Sequence, residues 1–169
     1  MWVDEVVWDG AKRLRQLHDA SVGFAVDGAV WQAPARIPAE VVCHNDFAPH
    51  NLVFRDERIA GAIDFDFCSP GPPVWDIAYF ATRIVPLTAD PPAGGPGMDQ
   101  GRRRTQLILD AYGRGVDITI DDVIRVAIIR LHQLAQLSRS KADELSLPQL
   151  RSDADAYDRD GRFLAAWRS

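Results

Sequence analysis

The residues with the clearest chemical potential lie in a short run that begins at His44 and ends at Asn51. Asp46 follows His44 by two positions, Asn51 follows Asp46 by five, and Asp64 follows Asn51 by thirteen. Transfer of a terminal phosphoryl group needs a carboxylate, an amide and a second carboxylate in this order. The spacing therefore predicts a phosphoryl-transfer site.

Each of the three side chains has a predicted task. Asp46, on a rigid loop, could accept the proton or hydrogen bond of a substrate hydroxyl and aim its oxygen for attack. Asn51 and Asp64 could bind Mg2+, which takes oxygen ligands and typically uses one or two carboxylates together with phosphates and water. Pro49 would stiffen the turn between base and amide. We therefore expect Mg2+ as the cofactor and ATP as the phosphate donor.

Other side chains are predicted to support the site without touching the phosphate. His44 could fix the loop by bonding neighbouring backbone, and Asp76, at the start of the following helix, could accept amide hydrogens from the same loop. His50 could act as a proton shuttle or metal ligand, although a lone loop histidine more often has neither role. Trp75 and Tyr79 are predicted to be aromatics of the core or of the cleft wall.

The elements that must position these residues are a leading helix and short strands. Residues 1–20 carry apolar side chains at spacings of three and four, which predicts an amphipathic helix. The site then falls on the loop and hairpin of residues 41–66, with Asp64 at the end of a hairpin strand. The predicted strands are 41–43, 52–54 and 59–63, with the polar turn 55–58 between the last two.

The remaining chain is predicted to be helical and to complete a single domain over residues 1–169. Residues 69–73 predict a sharp break before a helix that begins at Trp75, and the Pro- and Gly-rich residues 86–101 predict a loop. Residues 102–169 form the predicted helical subdomain. Its helices are 102–112 with Gly113 as the cap, a buried central helix from Thr119 to about Ser138, and a last helix from Ser152 or Asp153 to about Trp167. The expected fold class is mainly α with a small β-hairpin, α+β.

Composition narrows the classes of partner and compartment. The chain has 169 residues and a net charge of -5, which argues against binding to nucleic acid. Its two cysteines, Cys43 and Cys68, are too few for a disulfide framework and suit a reducing compartment. Both are interpreted as small apolar residues beside the site and not as nucleophiles. With neither a signal peptide nor a long apolar window, we expect a cytoplasmic protein that does not bind membranes.

The stretch from Val41 to Tyr79 resembles the catalytic segment of the aminoglycoside phosphotransferase and choline kinase superfamily, small-molecule relatives of protein kinases. The spelling Cys-His-Asn-Asp-Phe-Ala-Pro, with Ser-Pro-Gly-Pro and Trp-Asp further on, is most similar to a bacterial branch labelled trifolitoxin-immunity-like. The resemblance implies Asp46 as catalytic base and Asn51 and Asp64 as magnesium ligands. It places Asp66 at the glycine of the protein-kinase Asp-Phe-Gly motif. It also implies a small-molecule hydroxyl as the phosphoryl acceptor.

The same resemblance indicates that the chain corresponds to the C-terminal lobe of a kinase-like fold, with the N-terminal nucleotide lobe absent. Neither a glycine-rich loop nor a strand lysine is recognisable, and the only lysines are Lys12 and Lys141. The expected protein partner is therefore either this N-terminal lobe or a further copy of the chain in an oligomer. The competing hypotheses are a catalytically silent binding or immunity module and, with less support, a metal-dependent hydrolase using Asp46, Asp64 and Asp66.

Charged residues of the helical subdomain have alternative interpretations. Four acidic residues near the C-terminus could line the site of an amine-bearing substrate, as the resemblance implies, or form a solvated helix face, which is the more common case. Three consecutive arginines at the start of the helical subdomain could meet an anionic partner or be exposed surface. The acidic residues are Asp153, Asp155, Asp158 and Asp160, and the arginines, which we expect to be exposed, are Arg102, Arg103 and Arg104.

Overall fold

The computed structural model describes residues 3–24, 28–85, 87–91, 98–113, 115 and 117–168. Within these residues the chain forms helices with two small two-stranded sheets, so the prediction of a mainly α fold with a small β component is confirmed. The helices are α1 (Asp4–Ser21), α2 (Val74–Ile84), α3 (Gly101–Tyr112), α4 (Ile120–Leu145) and α5 (Gln149–Arg168), and the strands are β1 (Val41–Cys43), β2 (Leu52–Arg55), β3 (Arg58–Ala62) and β4 (Ser69–Gly71).

Helix α1 packs by the apolar stripe that its sequence predicts. Val7, Ala11 and Leu14 are fully buried, and His18 continues the same face one turn later. A histidine at the end of an apolar stripe must find hydrogen-bond partners, because a buried polar group without them is costly. The helix lies against α2, α3 and strands β1 and β3.

The two sheets flank the predicted catalytic loop. Strands β2 and β3 form the expected antiparallel hairpin, with positive φ at the turn residues Asp56 and Glu57. The prediction of a chain break at residues 69–73 is wrong in part, because residues 69–71 are strand β4, antiparallel to β1. Pro70 fits there because its carbonyl accepts the amide of Arg36 at 2.8 Å, and a two-stranded sheet tolerates a residue that donates no bond.

Helix α2 is the centre of the core. Ile77, Ala78, Phe80, Ala81 and Ile84 are completely buried, and the helix contacts α1, α3 and α4. A helix that is apolar on nearly all sides must be surrounded by other elements. Helix α2, which follows the hairpin in the sequence, is therefore enclosed by three other helices.

The C-terminal helices are longer than predicted. Helix α4 runs to Leu145 and not to Ser138, ending at Ser146 in a left-handed conformation, and α5 begins at Gln149 and not at Ser152 or Asp153. Residues 139–145 include Arg, Lys, Ala, Glu and Leu, which are good helix formers and continue α4 beyond Ser138. The expectation of a buried central helix holds for Val123, Ile124 and Leu131, which are buried, but not for Ile129 and Leu137, which are exposed.

The start of the helical subdomain also differs from its prediction. Of the predicted loop 86–101, residues 86 and 92–97 lie outside the described residues, and a 3-10 turn at Met98–Gln100 leads into α3. Arg102 and Arg103 are exposed as expected, but Arg104 is buried, so the prediction for this arginine is wrong. A helix that packs on its neighbours buries whichever residues fall on the inner face. Among the described residues, no helix combines the length and apolar character that a membrane crossing needs.

Candidate active site

The predicted base and amide lie on a tight loop between β1 and β2, residues 44–51, which we call the catalytic loop after its predicted role. Asn45 has a φ of 65°, in the left-handed region, and the loop then closes in a 3-10 turn at Pro49–Asn51. The amide of Asn51 donates to the carbonyl of Ala48 at 2.8 Å. Proline at the first position of such a turn supplies the required φ, which explains how the five-residue step from Asp46 to Asn51 reverses direction.

Asp46 and Asn51 are in direct contact. The side-chain nitrogen of Asn51 donates to the Asp46 backbone carbonyl at 2.9 Å and to Asp46 Oδ2 at 2.8 Å. The side-chain oxygen of Asn51 takes no part in these two bonds and is the atom of this amide that could accept a cation. Asn51 is buried, whereas the Asp46 side chain keeps 29% exposure. The two bonds therefore hold the Asp46 carboxylate through the Asn51 nitrogen alone.

His44 and Asn51 tie this loop to the segment that carries Asp64. The buried His44 accepts the Asp46 amide at Nδ1 at 3.3 Å and donates from Nε2 to the carbonyl of Ile63 at 3.0 Å. The amide of Ile63 donates to the carbonyl of Asn51 at 3.0 Å. The residue before Asp64 is therefore bonded to both ends of the catalytic loop, and His44 makes the backbone contacts expected of it.

Asp64 lies two residues beyond the end of β3, because the strand ends at Ala62, one residue earlier than predicted. It has a φ of 62°, a conformation that Asp and Asn adopt more readily than most residues. Asp64 and Asp66 are both exposed. In the described part of the chain no hydrogen bond or ion pair engages either carboxylate, so both are accessible to a cation.

The Asp76 side chain holds the catalytic loop by hydrogen bonds to its backbone. Its completely buried carboxylate accepts the amide of His44 at Oδ2 at 2.6 Å and the amide of Asn45 at Oδ1 at 2.9 Å. His18 donates to Oδ2 at 3.1 Å, and its other nitrogen lies 2.7 Å from the Tyr112 hydroxyl. Burial would raise the pKa of Asp76, but the His18 hydrogen bond, nearby positive charge and the His44 amide outweigh it and lower the pKa.

The contact between His18 and Asp76 was not predicted from the sequence. The available signal was the position of His18 on the apolar stripe of α1, which indicates a buried histidine but not its partner. The two residues are 58 positions apart, and the periodicity of a helix carries no information over that distance. Asp76 therefore has a helix N-terminal position, as predicted, and an additional partner from α1.

Two further side chains border Asp46. His50 Nε2 lies 3.3 Å from Asp46 Oδ2, with 61% of the imidazole exposed. Tyr79 is a neighbour of Asp46, and burial, together with the Asp46 carboxylate, raises the pKa of Tyr79 to about 12, against the opposing effect of Arg83. Trp75 and Tyr79 are both buried, which fits their predicted place in the core or cleft wall. The predicted base thus has an exposed histidine as one neighbour and a buried tyrosine as another.

The cysteines beside the site are poor nucleophiles. Cys43 is buried, and burial strongly raises the pKa of its thiol. Cys68 is half-buried, and burial raises its pKa to about 11. The thiol of Cys43 lies with His18 and Asp76 in a buried group whose ligand atoms are within 4.8 Å of one another. Both ring nitrogens of His18 and both carboxylate oxygens of Asp76 are already engaged in hydrogen bonds, so these atoms are not free to bind a metal.

The acidic residues of α5 are engaged within the protein. Arg139 bonds Asp155 at 3.0 Å and Asp158 at 2.7 Å. The side chain of Gln149 donates to Asp153 at 3.2 Å, and Asp160 accepts from the Thr88 hydroxyl at 2.7 Å and the Ala89 amide at 3.0 Å. These contacts favour a role in holding α5 over the alternative of a substrate-binding acidic wall, which stays a prediction.

Comparison with known proteins identifies the family. The profile of the phosphotransferase enzyme family matches residues 4–114, more than half of the chain. The match includes α1, the catalytic loop, both sheets, α2 and α3, and so all four of Asp46, Asn51, Asp64 and Asp76. No curated protein and no solved structure matches the chain. The chain belongs to the phosphotransferase enzyme family, within the aminoglycoside phosphotransferase and choline kinase-like superfamily.

Proposed function

We propose that this chain carries the catalytic centre of an ATP- and magnesium-dependent phosphotransferase that acts on a hydroxyl group of a small molecule. Asp46 is the base that accepts the hydroxyl hydrogen, and Asn51 and Asp64 are the metal ligands. His44 and Asp76 hold the loop through the backbone. The family supports phosphoryl transfer as the reaction class, and the donor, the metal and the acceptor are parts of the proposal.

The observation that carries the proposal is the double hydrogen bond from the Asn51 side chain to Asp46. It joins the base to a predicted metal ligand, so that the acceptor oxygen and the phosphate would be placed by one rigid unit. Phosphoryl transfer depends mainly on such positioning and on neutralisation of the phosphate charge.

The residues present fit magnesium. A hard cation needs oxygen ligands, and Asn51 and Asp64 supply an amide oxygen and a carboxylate, while Asp66 adds negative charge nearby. The backbone bond between Ile63 and Asn51 keeps the two ligand-bearing segments adjacent. Bound magnesium would neutralise charge on the transferred phosphate. The chain's own contribution is to hold these oxygens in place and to receive the proton at Asp46.

We infer that the described elements form the C-terminal lobe of a kinase-like fold and that a nucleotide-binding lobe acts with it. Lys141 pairs with Glu144 at 2.8 Å on α4, and Lys12 is exposed on α1, so neither lysine supports a phosphate-holding role. In this interpretation the chain supplies base and metal ligands, and the second lobe supplies contacts to the adenine and the outer phosphates.

The test measures magnesium-dependent transfer of ATP phosphate in the protein as the cell makes it, with the substitutions Asp46→Ala and Asp110→Ala. Loss of a general base typically lowers the rate by about 100- to 10,000-fold. Asp110 is exposed on α3, where its carboxylate bonds Gln106 of the same helix, and it serves as a control that should leave the rate unchanged. Equal rates for the wild type and the Asp46 variant would refute the proposal and favour a silent binding module.

A further inference from the structure

The side chain of Arg130, on α4, is hydrogen-bonded to the backbone of the catalytic loop. Only 5% of the residue is exposed, which is unusual for an arginine. One terminal nitrogen donates to the carbonyl of Asn45 at 2.6 Å and the other to the carbonyl of Trp75 at 3.2 Å. Asn45 directly precedes Asp46, and Trp75 directly precedes Asp76. The Arg130 side chain therefore connects the residue before Asp46 to the residue before Asp76.

The carbonyl that Arg130 binds belongs to the same peptide group as the Asp46 amide. The plane of that group sets the direction in which the Asp46 side chain leaves the backbone. Asn45 is in the left-handed region, which is strained for most residues and persists only where the surroundings fix it. Its amide is bonded to Asp76 at 2.9 Å, and its side chain donates to the carbonyl of Phe67 at 2.7 Å. Arg130 supplies the remaining restraint, on the carbonyl.

The charge of Arg130 is balanced locally. Burial lowers the pKa of Arg130 to about 10, against which the neighbouring Asp76 acts, so the guanidinium is a cation at neutral pH. It lies 4.0 Å from Asp76 Oδ1 and stacks between the rings of Trp75 and Tyr79, at 4.7 and 4.4 Å from their centroids. A charged hydrogen bond to a backbone carbonyl in such surroundings is stronger than a neutral one.

We propose that Arg130 is a positioning residue for the catalytic base, which it orients through the Asn45 carbonyl. The inference rests on the proposed function, and it adds to it, because Arg130 lies outside residues 4–114 that the family profile covers. Helix α4 is then part of the catalytic architecture and not only a support for α5. The residue acts through the backbone and touches neither phosphate nor acceptor.

The test compares Arg130→Met and Arg130→Lys with the control Arg104→Met. Arg104 is equally buried, but in the described structure its charged contact is with Asp4, at 3.7 Å, and it makes no bond to the catalytic loop. Two readouts are needed. The first is hydrogen exchange at the amides of Asn45 and Asp46, measured by NMR, and the second is the split between kcat and the KM for the acceptor.

Arg130→Met should speed exchange at these two amides at least about 10-fold relative to amides of α2, because local opening of the loop becomes easier. It should lower kcat by about 100-fold with KM nearly unchanged, as expected for a base displaced by about 1 Å. Arg130→Lys keeps the charge and one bond and should fall between wild type and Arg130→Met in both readouts. Arg104→Met should alter neither.

The proposal is overturned if a folded Arg130 variant has wild-type exchange at Asn45 and Asp46 together with wild-type kcat, or if Arg104→Met reproduces its effects. Should Arg130→Met fail to fold, Arg130→Lys alone decides by the same criteria. The exchange readout needs neither ATP nor metal. It therefore separates a failure of this inference from a failure of the proposed function, which the Asp46→Ala rate measures independently.

Discussion

At the scale of single residues, the candidate site gives its two key carboxylates different surroundings. Asp46 is half-buried and contacts Asn51 and His50. Asp64 is exposed, and in the described residues its carboxylate has no hydrogen bond or ion pair. A base must be oriented by partners before the acceptor arrives, whereas a metal ligand must keep its oxygens available. The two environments match the two proposed tasks.

The metal-ligand assignment can be tested with Asp64→Asn. Asparagine tolerates the left-handed φ of 62° as aspartate does, so the change removes charge without backbone strain. Mn2+ replaces Mg2+ in this experiment because its binding can be measured by EPR. We expect the Mn2+ affinity to fall at least about 10-fold, since even the loss of a residue that only supports a metal ligand typically costs that much.

The matched control for this measurement is Asp56→Asn. Asp56 is also exposed and has a φ of 49°, so the substitution removes the same charge from a similar backbone conformation in the hairpin turn. We expect its Mn2+ affinity to equal that of the wild type. Equal losses in both variants would mean that Mn2+ responds to net charge alone, and Asp64 would then not be a specific ligand.

At the scale of elements, local signals and long-range pairings were predictable to different degrees. The hairpin β2–β3, the start of α2 and the capping signal of α4 follow from residues that are neighbours in sequence. The pairing of β1 with β4 does not follow from such neighbours. Pro70 alone predicts a chain break, and the sequence does not show that its carbonyl accepts the amide of Arg36. Strand partners 28 positions apart, such as Val42 and Pro70, leave no local pattern.

The same distinction applies to the candidate site. Asp46, Asn51 and Asp64 could be proposed from the sequence because they are spaced within one loop and hairpin. The contacts from distant elements could not be predicted. His18 on α1 bonds Asp76, and Arg130 on α4 bonds the carbonyl of Asn45, only once the helices have packed. A histidine or an arginine on an apolar face signals a buried partner, but the sequence does not say which one.

The N-terminus of α4 gives an element-scale prediction. Thr119 and Asp122 form a capping box, and the Thr119 side-chain hydrogen bond, followed by that of Arg125, lowers the pKa of Asp122 from 3.8 to about 2. Replacing Thr119 by Ala should cost about 1 kcal/mol in the free energy of unfolding at pH 7, measured by urea denaturation. The loss reflects amides of the first turn left without an acceptor.

The effect of Thr119→Ala should also depend on pH. A carboxyl group with a lowered pKa in the folded state stabilises the fold above its unfolded value, and this contribution is lost as the pH falls from about 4 to about 2. The difference between Thr119→Ala and wild type should therefore shrink between pH 4 and pH 2. Ile124→Val, a change of a buried apolar residue in the same helix, removes no bond to a carboxyl group and should differ from the wild type by the same amount across this range. A constant difference for Thr119→Ala across this range would contradict the capping assignment.

At the scale of the whole molecule, the leading helix and the catalytic loop are joined through the core. Phe80 of α2 packs edge-on against Phe47 at 5.3 Å between ring centroids, and Phe47 directly follows Asp46. On its other side Phe80 presses against Gly10 of α1, where a Cβ atom would lie 2.3 Å from the tip of the ring. The close approach of α1 to α2 therefore depends on glycine at this position.

Gly10→Ala tests this packing against helix propensity. Alanine would favour an isolated helix by about 1 kcal/mol, but overpacking a core typically costs about 1–3 kcal/mol. Because the ring of Phe80 is fully buried and braced by Phe47, we expect a net loss of stability in urea denaturation. Gly161→Ala on α5 is the matched control, since its Cβ would meet the His132 ring at an ordinary 3.6 Å and propensity should dominate.

Adding Phe80→Leu to Gly10→Ala should recover part of the loss, because the shorter side chain leaves room for the methyl group. If Gly10→Ala were as stable as Gly161→Ala, the two helices would be packed more loosely than the structure shows, and α1 would not brace the segment that carries the base.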